Sequence, residues 1–113
     1  MPYCTLTTTA RLSVEAKKEV NEELLKIVET IPGKSRSWIM TRVEDEQFMS
    51  FAGSTEPCAM ISLKCFGNVS DAKADDLTAR FCSRVAPKIG VDPSRVYVTY
   101  EGISQWGWNG GNF

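Results

Sequence analysis

The two halves of this chain carry the same pattern at a fixed offset. Ser13 and Ser70 each stand before a run with helical apolar spacing, Gly33 and Gly90 each follow one, and both pairs lie 57 residues apart. Ser13 is a good N-cap residue. After it, Val20, Leu24, Ile27, Val28 and Ile31 fall on one helical face, with Lys17, Lys18, Glu19, Glu22 and Glu29 opposite. Pro32 and Gly33 stop that helix. The second stripe is Ala74, Leu77, Phe81 and Val85, with Pro87 in the last turn and Gly90 as the stop. The same offset lays Pro2–Thr7 over Ala59–Lys64, and Trp38–Val43 over Arg95–Tyr100. Threonine-rich Tyr3–Thr8 suits a strand, and the largely apolar Cys58–Phe66 suits a buried one.

Each half therefore reads as strand, crossover helix, strand. A helical crossover makes its two strands parallel and adjacent. The expected fold is α/β (α+β): one four-stranded sheet from two strand–helix–strand repeats, both helices on one face, in a single domain spanning 1–113. The other face is left bare. With Ile61, Leu63, Val96 and Val98 assigned in part to that face, it is expected to be covered by oligomerisation. Phe48–Phe51 reads as a short strand followed by a turn. The Gly-rich tail Glu101–Phe113 is expected to be packed, because Trp106, Trp108 and Phe113 are costly to leave in water.

Composition removes several function classes. A net charge of −1, with scattered Lys and Arg, gives no basic stripe for nucleic acid and no charged block for a membrane surface. No apolar run is long enough to span a bilayer. Tyr3–Thr9 lacks the positive n-region of a secretory signal, so the expectation is cytosolic synthesis. Cys4, Cys58, Cys65 and Cys82 include no Cys-x-x-Cys pair, and there is no histidine, so no zinc site is expected. Reduced, mostly buried thiols are expected instead.

With no histidine, another group must do any base chemistry near neutral pH. Pro2 follows Met1, and methionine is normally clipped before a small residue. Clipping would leave a secondary amine at Pro2. A chain amine ionises near ~8, and burial or a nearby cation lowers that further. Such a group suits proton abstraction. By itself the Met-Pro dipeptide is equally a common chain start, and Lys34 or Tyr97 alone reads as a solvated loop lysine or a packing residue.

Several motifs then occur in order: Met1-Pro2, Pro32-Gly-Lys34, Met49-Ser-Phe51-Ala-Gly-Ser54, Glu56-Pro-Cys58-Ala, Arg95-Val-Tyr97-Val and Gly107-Trp108-Asn109. Together, from Pro2 to Phe113, they resemble the macrophage migration inhibitory factor family of the tautomerase superfamily. The resemblance implies a homotrimer whose three sheets line a central barrel, with sites between neighbouring subunits. It implies cofactor-independent keto–enol tautomerase activity on aromatic 2-oxo acids such as phenylpyruvate, and on dopachrome-type compounds. It also implies an alternative, a cytokine-like protein released without a signal peptide that acts on a cell-surface receptor and keeps a vestigial pocket.

Position by position, the resemblance makes Pro2 the catalytic base and Lys34 the anchor for the substrate carboxylate. Phe66 stands where the family has isoleucine, whose backbone N–H faces the substrate. Tyr97 matches a pocket tyrosine from the adjacent subunit, and Thr99 stands where mammalian members have asparagine. Trp38 falls at an aromatic position by the pocket mouth. Trp106 replaces a smaller residue and is expected to narrow the pocket, while Trp108 and Phe113 match its aromatic wall. One departure concerns redox chemistry. Members with thiol-oxidoreductase activity carry Cys-Ala-Leu-Cys, whereas this chain reads Cys58-Ala-Met-Ile61. Arg11 and Glu46 lie near positions proposed for receptor contact in mammalian relatives, although two surface charges are more often simply solvated.

Overall fold

The computed structural model describes residues 1–113. Strands β1 (Pro2–Thr8), β2 (Met40–Glu44), β3 (Ala59–Phe66) and β4 (Val96–Ile103) form one sheet in the order β2-β1-β3-β4. β1 and β2 are parallel, as are β3 and β4, and β1 and β3 meet antiparallel at the centre. Helices α1 (Val14–Val28) and α2 (Asp71–Arg84) are the two crossovers.

The 57-residue offset survives in detail. The Ser13 and Ser70 side chains accept from the Ala16 and Lys73 N–H groups, with nearly the same extended backbone. Gly33 and Gly90 both have positive φ, 79° and 68°. That left-handed conformation costs glycine little and an L side chain much more. Short 3₁₀ turns at Arg36–Trp38 and Pro93–Arg95 also correspond. Thr5 pairs with Ser62, its own counterpart at that offset, so an approximate twofold axis passes through that pair.

The two helices close one face of the sheet. Cys4, Leu6, Ile61, Leu63 and Cys65 from the strands meet Val20, Leu24, Ile27, Val28, Leu77, Phe81 and Val85 from the helices in one core. Thr8 is a buried polar residue, and its hydroxyl donates to the Cys58 carbonyl at 2.9 Å; no buried side-chain nitrogen or oxygen lacks a partner.

This places Ile61 and Leu63 on the covered face, not the bare one, with Val96 and Val98 packed against the same core. The phase follows from strict alternation: Ile61 and Leu63 are buried while Ser62 and Lys64 are not. Register then builds the bare face in rows: Met40, Tyr3, Lys64 and Glu101; Arg42, Thr5, Ser62 and Thr99; Glu44, Thr7, Met60 and Tyr97. It is largely polar, with apolar side chains toward its two ends.

Other details differ from expectation. Phe48–Phe51 forms no strand. The chain leaves β2 when the Asp45 carboxylate turns back to accept from the Leu12 N–H at 2.9 Å and pair with Lys17 at 3.2 Å. Phe51 and Ser54 then close a two-residue turn with reciprocal backbone bonds of 2.9 and 3.0 Å. The second helical run is also broken, with α2 ending at Arg84 and a one-turn α3 (Ala86–Ile89) carrying Pro87 in its first turn. Proline fits there because that N–H lacks an intrahelical partner anyway.

Ala52 and Gly53 hold the Phe51–Ser54 turn at φ of 53° and 74°. Alanine is strained in this region and glycine is not. Ala52→Gly is expected to raise stability by up to about 1 kcal/mol, the released strain exceeding the extra freedom of the unfolded chain. A urea denaturation midpoint that falls would contradict this.

Candidate active site

The C-terminal tail turns back over one end of the sheet. After β4, strands β5 (Gly107–Trp108) and β6 (Gly111–Asn112) form a small hairpin about Asn109-Gly110, whose φ values are 48° and 87°. Asn-Gly is the preferred pair for a turn with two positive φ angles. The Phe113 N–H donates to the Trp106 carbonyl at 3.0 Å, closing the hairpin.

The expected packing of this tail is present. Trp38 meets Trp108 edge-on with ring centres 4.9 Å apart, and Phe113 lies 5.9 Å from each tryptophan. Phe66 is 6.0 Å from Phe113. These offset and edge geometries are the favourable ones for aromatic rings. Trp38, Trp108 and Phe113 still keep 41%, 55% and 48% of their surface exposed, which leaves aromatic area available to a ligand.

Beside this cluster is a pocket of about 280 Å³ lined mainly by Met1, Pro2, Tyr3, Trp38, Trp106 and Trp108. Pro2 itself is buried and paired in register with Cys65. Met40, the register partner of Tyr3, adds to the wall. Neither Tyr3 nor Met40 is among the residues expected from sequence. The parallel β1–β2 register is the signal that could have found them.

Lys34 reaches the same place from the loop after α1. Its Nζ donates to the Phe66 carbonyl at 3.1 Å, while the Phe66 N–H donates to the Met1 carbonyl at 2.9 Å. Both sides of this short stretch are thus engaged, one by a cation and one by the chain terminus. The Met1 amine is held below the ordinary chain-amine range, first by burial and then by the charge and hydrogen bonding of Lys34. Burial also pushes the neighbouring thiols up, Cys4 to about 12, so they stay neutral and unreactive.

Pro2, Lys34, Trp38, Phe66, Trp106, Trp108 and Phe113 therefore gather at one end of the molecule. Tyr97 and Thr99 do not. They share the bare face, as their two-residue spacing requires, but Tyr97 pairs with Met60 and Thr99 with Ser62. Met60 is five residues along β3 from Cys65, the partner of Pro2, or roughly 17 Å at strand spacing. At that far end Tyr97 packs on Phe51 with ring centres 4.8 Å apart, beside an apolar hollow of about 360 Å³ lined in part by Met49, Cys58 and Met60. Arg95 stacks on Phe51 at 5.2 Å and binds the carbonyls of Ser54, Glu56 and Pro57.

Comparison with known proteins places the chain in a family and matches its fold. The family profile described as macrophage migration inhibitory factor matches residues 1–113. Macrophage migration inhibitory factor of Meriones unguiculatus is 31% identical over 93 residues, 80% of this chain and 81% of its own length. The crystal structure of Leishmania major MIF2 covers 100% of this chain and 97% of its own, at 27% identity and a TM-score of 0.92. That of the macrophage migration inhibitory factor-like protein of Entamoeba histolytica gives 0.89 at 26% identity, covering 99% and 98%. With one profile spanning the whole chain and the same fold in its relatives, this chain belongs to the macrophage migration inhibitory factor family of the tautomerase superfamily.

Proposed function

We propose that this protein is a cofactor-independent keto–enol tautomerase of aromatic 2-oxo acids such as phenylpyruvate, with Pro2 as general base after Met1 is removed. The observation that carries this reading is the convergence of the chain terminus, the Lys34 cation and the Phe66 peptide group beside an aromatic wall.

The chemistry follows from those groups. The Pro2 nitrogen takes a proton from the carbon beside the ketone. The C–H electron pair becomes the new carbon–carbon double bond, and the carbonyl π pair moves to oxygen. The protonated Pro2 amine then returns its proton to that oxygen, which gives the enol and restores the free amine, and the reverse steps return the ketone. Lys34 holds the substrate carboxylate and keeps the Pro2 amine neutral. Removal of Met1 frees the Phe66 N–H, which becomes a donor for a substrate oxygen, a contact worth most in a dry site. Trp38, Trp106, Trp108 and Phe113 hold the aromatic ring.

Tyr97 and Thr99 are too far along the sheet to join Pro2 within one chain. A homotrimer, in which each subunit presents this end to its neighbour's Pro2 end, supplies them and covers the bare sheet face. Native mass spectrometry at micromolar concentration is expected to give three times the 12.6 kDa subunit mass. A monomer that tautomerises phenylpyruvate would exclude the shared site.

Thiol-oxidoreductase turnover is not expected. Cys58 lacks a second cysteine three residues on, and both Cys58 and Ile61 are buried. Insulin reduction that depends on Cys58 would contradict this. The tautomerase reading itself is tested by phenylpyruvate ketonisation with protein beginning at Pro2. No turnover above the buffer rate would refute it.

A further inference from the structure

The aromatic tail can shape the pocket only if it leaves the sheet in one direction. That direction is set where β3 and β4 end side by side. The Gly67 N–H donates to the Ile103 carbonyl at 3.1 Å, forming an isolated antiparallel bridge beyond the parallel ladder. Gly67 has a φ of 84°, which turns the chain just after Phe66. Gly102 lies directly against this turn. A Cβ there would overlap the Asn68 side-chain amide oxygen and lie 2.7 Å from the Gly67 carbonyl. By contrast, a Cβ on Gly67 would meet nothing within 4 Å, so the steric demand falls on position 102.

Both chains leaving this clamp enter the pocket region. Phe66 precedes Gly67 directly. Ser104 follows Ile103, and two residues later Trp106 lines the pocket and accepts from Phe113. We infer that Gly102, by admitting the Gly67–Asn68 turn against β4, is a positioning residue that fixes the Trp106–Phe113 wall relative to Pro2. The inference rests on the tautomerase reading for its consequence in catalysis, though not for its geometry. Gly102 touches no substrate. It acts through the aromatic wall, so its loss affects ring binding more than proton transfer.

Gly102→Ala has two independent readouts. All three tryptophans of the chain, Trp38, Trp106 and Trp108, border the pocket, so tryptophan emission, excited selectively over tyrosine, reports on this region alone. Gly102→Ala is expected to shift that emission to the red. It is also expected to raise KM for phenylpyruvate about fivefold or more with kcat within about twofold, the pattern of lost ring binding. Asn68→Ala alone should stay near wild type. In the Gly102→Ala/Asn68→Ala pair the overlap with the Asn68 side chain is gone while the Gly67 carbonyl remains, so partial return of both readouts is expected. Wild-type emission and KM in Gly102→Ala would overturn the inference, as would an equal loss in kcat with no change in KM. If Gly102→Ala fails to fold, the pair decides: KM above that of Asn68→Ala supports the clamp, and equal KM overturns it. If the wild-type protein has no tautomerase activity, the functional reading fails separately. The emission shift then still decides whether Gly102 holds the wall.

Discussion

Protein that retains Met1 is expected to turn over phenylpyruvate at least about 100-fold more slowly than protein beginning at Pro2, the lower range for loss of a general base. Two effects of one residue add in the same direction. With Met1 attached, the Pro2 nitrogen is an amide and has no basic lone pair. The Met1 carbonyl accepts from the Phe66 N–H at 2.9 Å, occupying a donor that substrate would use. The comparison needs two preparations of the same chain, one processed and one blocked from processing, each verified by intact mass. Pro2→Ala, processed to a free Ala amine, should fall less, because a primary amine remains. Equal turnover with and without Met1 would remove Pro2 from the mechanism.

Much of this fold was legible because a repeat constrains more than a pattern does. Two N-cap serines, two stop glycines and two matching strand pairs, all at one offset, leave few ways to connect a sheet. The phase of the strands was also written in Cys58–Phe66, where Ser62 and Lys64 alternate with Ile61, Leu63 and Cys65. A largely apolar run hides such alternation, so its composition alone does not say that Ile61 and Leu63 face the helices. The Phe48–Phe51 segment has strand-like residues, but Glu46 at a φ of 56° already redirects the chain away from β2, and Phe51 closes a turn on Ser54 instead.

The site was less legible, and unevenly so. Pro2, Lys34 and the tail aromatics stand out by residue type at fixed places in a motif series. Tyr3 and Met40 do not, because they join the wall only through strand register. Gly102 was invisible. Its requirement comes from Asn68, distant in sequence, whose side chain fills the space a Cβ would take. The separation of Tyr97 from Pro2 is likewise a property of the sheet, and no local pattern encodes it.

Lys34→Ala is the variant that separates binding from chemistry. Its cation is expected to hold the substrate carboxylate by a charge-assisted contact worth about 1.5–3 kcal/mol, so KM for phenylpyruvate should rise by roughly 10- to 100-fold. An ester of the same acid has no full negative charge to lose, and its KM should change much less. The variant also moves the pH profile. With Met1 in place, burial first and then the Lys34 charge depress the Met1 amine, and the same two causes are expected to act on a Pro2 amine one residue along. Removing the cation leaves the burial contribution and cancels the other, so the Pro2 amine should hold its proton to higher pH. The active form is the neutral amine. The rising limb of rate against pH should therefore shift upward in Lys34→Ala, while its midpoint stays below that of an ordinary chain amine. Lys34 further braces Phe66 through its carbonyl at 3.1 Å, so a modest fall in kcat is expected beside the larger effect on KM. Lys34→Arg keeps the charge and should hold the limb near its wild-type position even if altered geometry weakens binding. A limb that moves downward in Lys34→Ala would remove its role in keeping the amine neutral, and ester and acid substrates that lose affinity equally would remove its role as anchor.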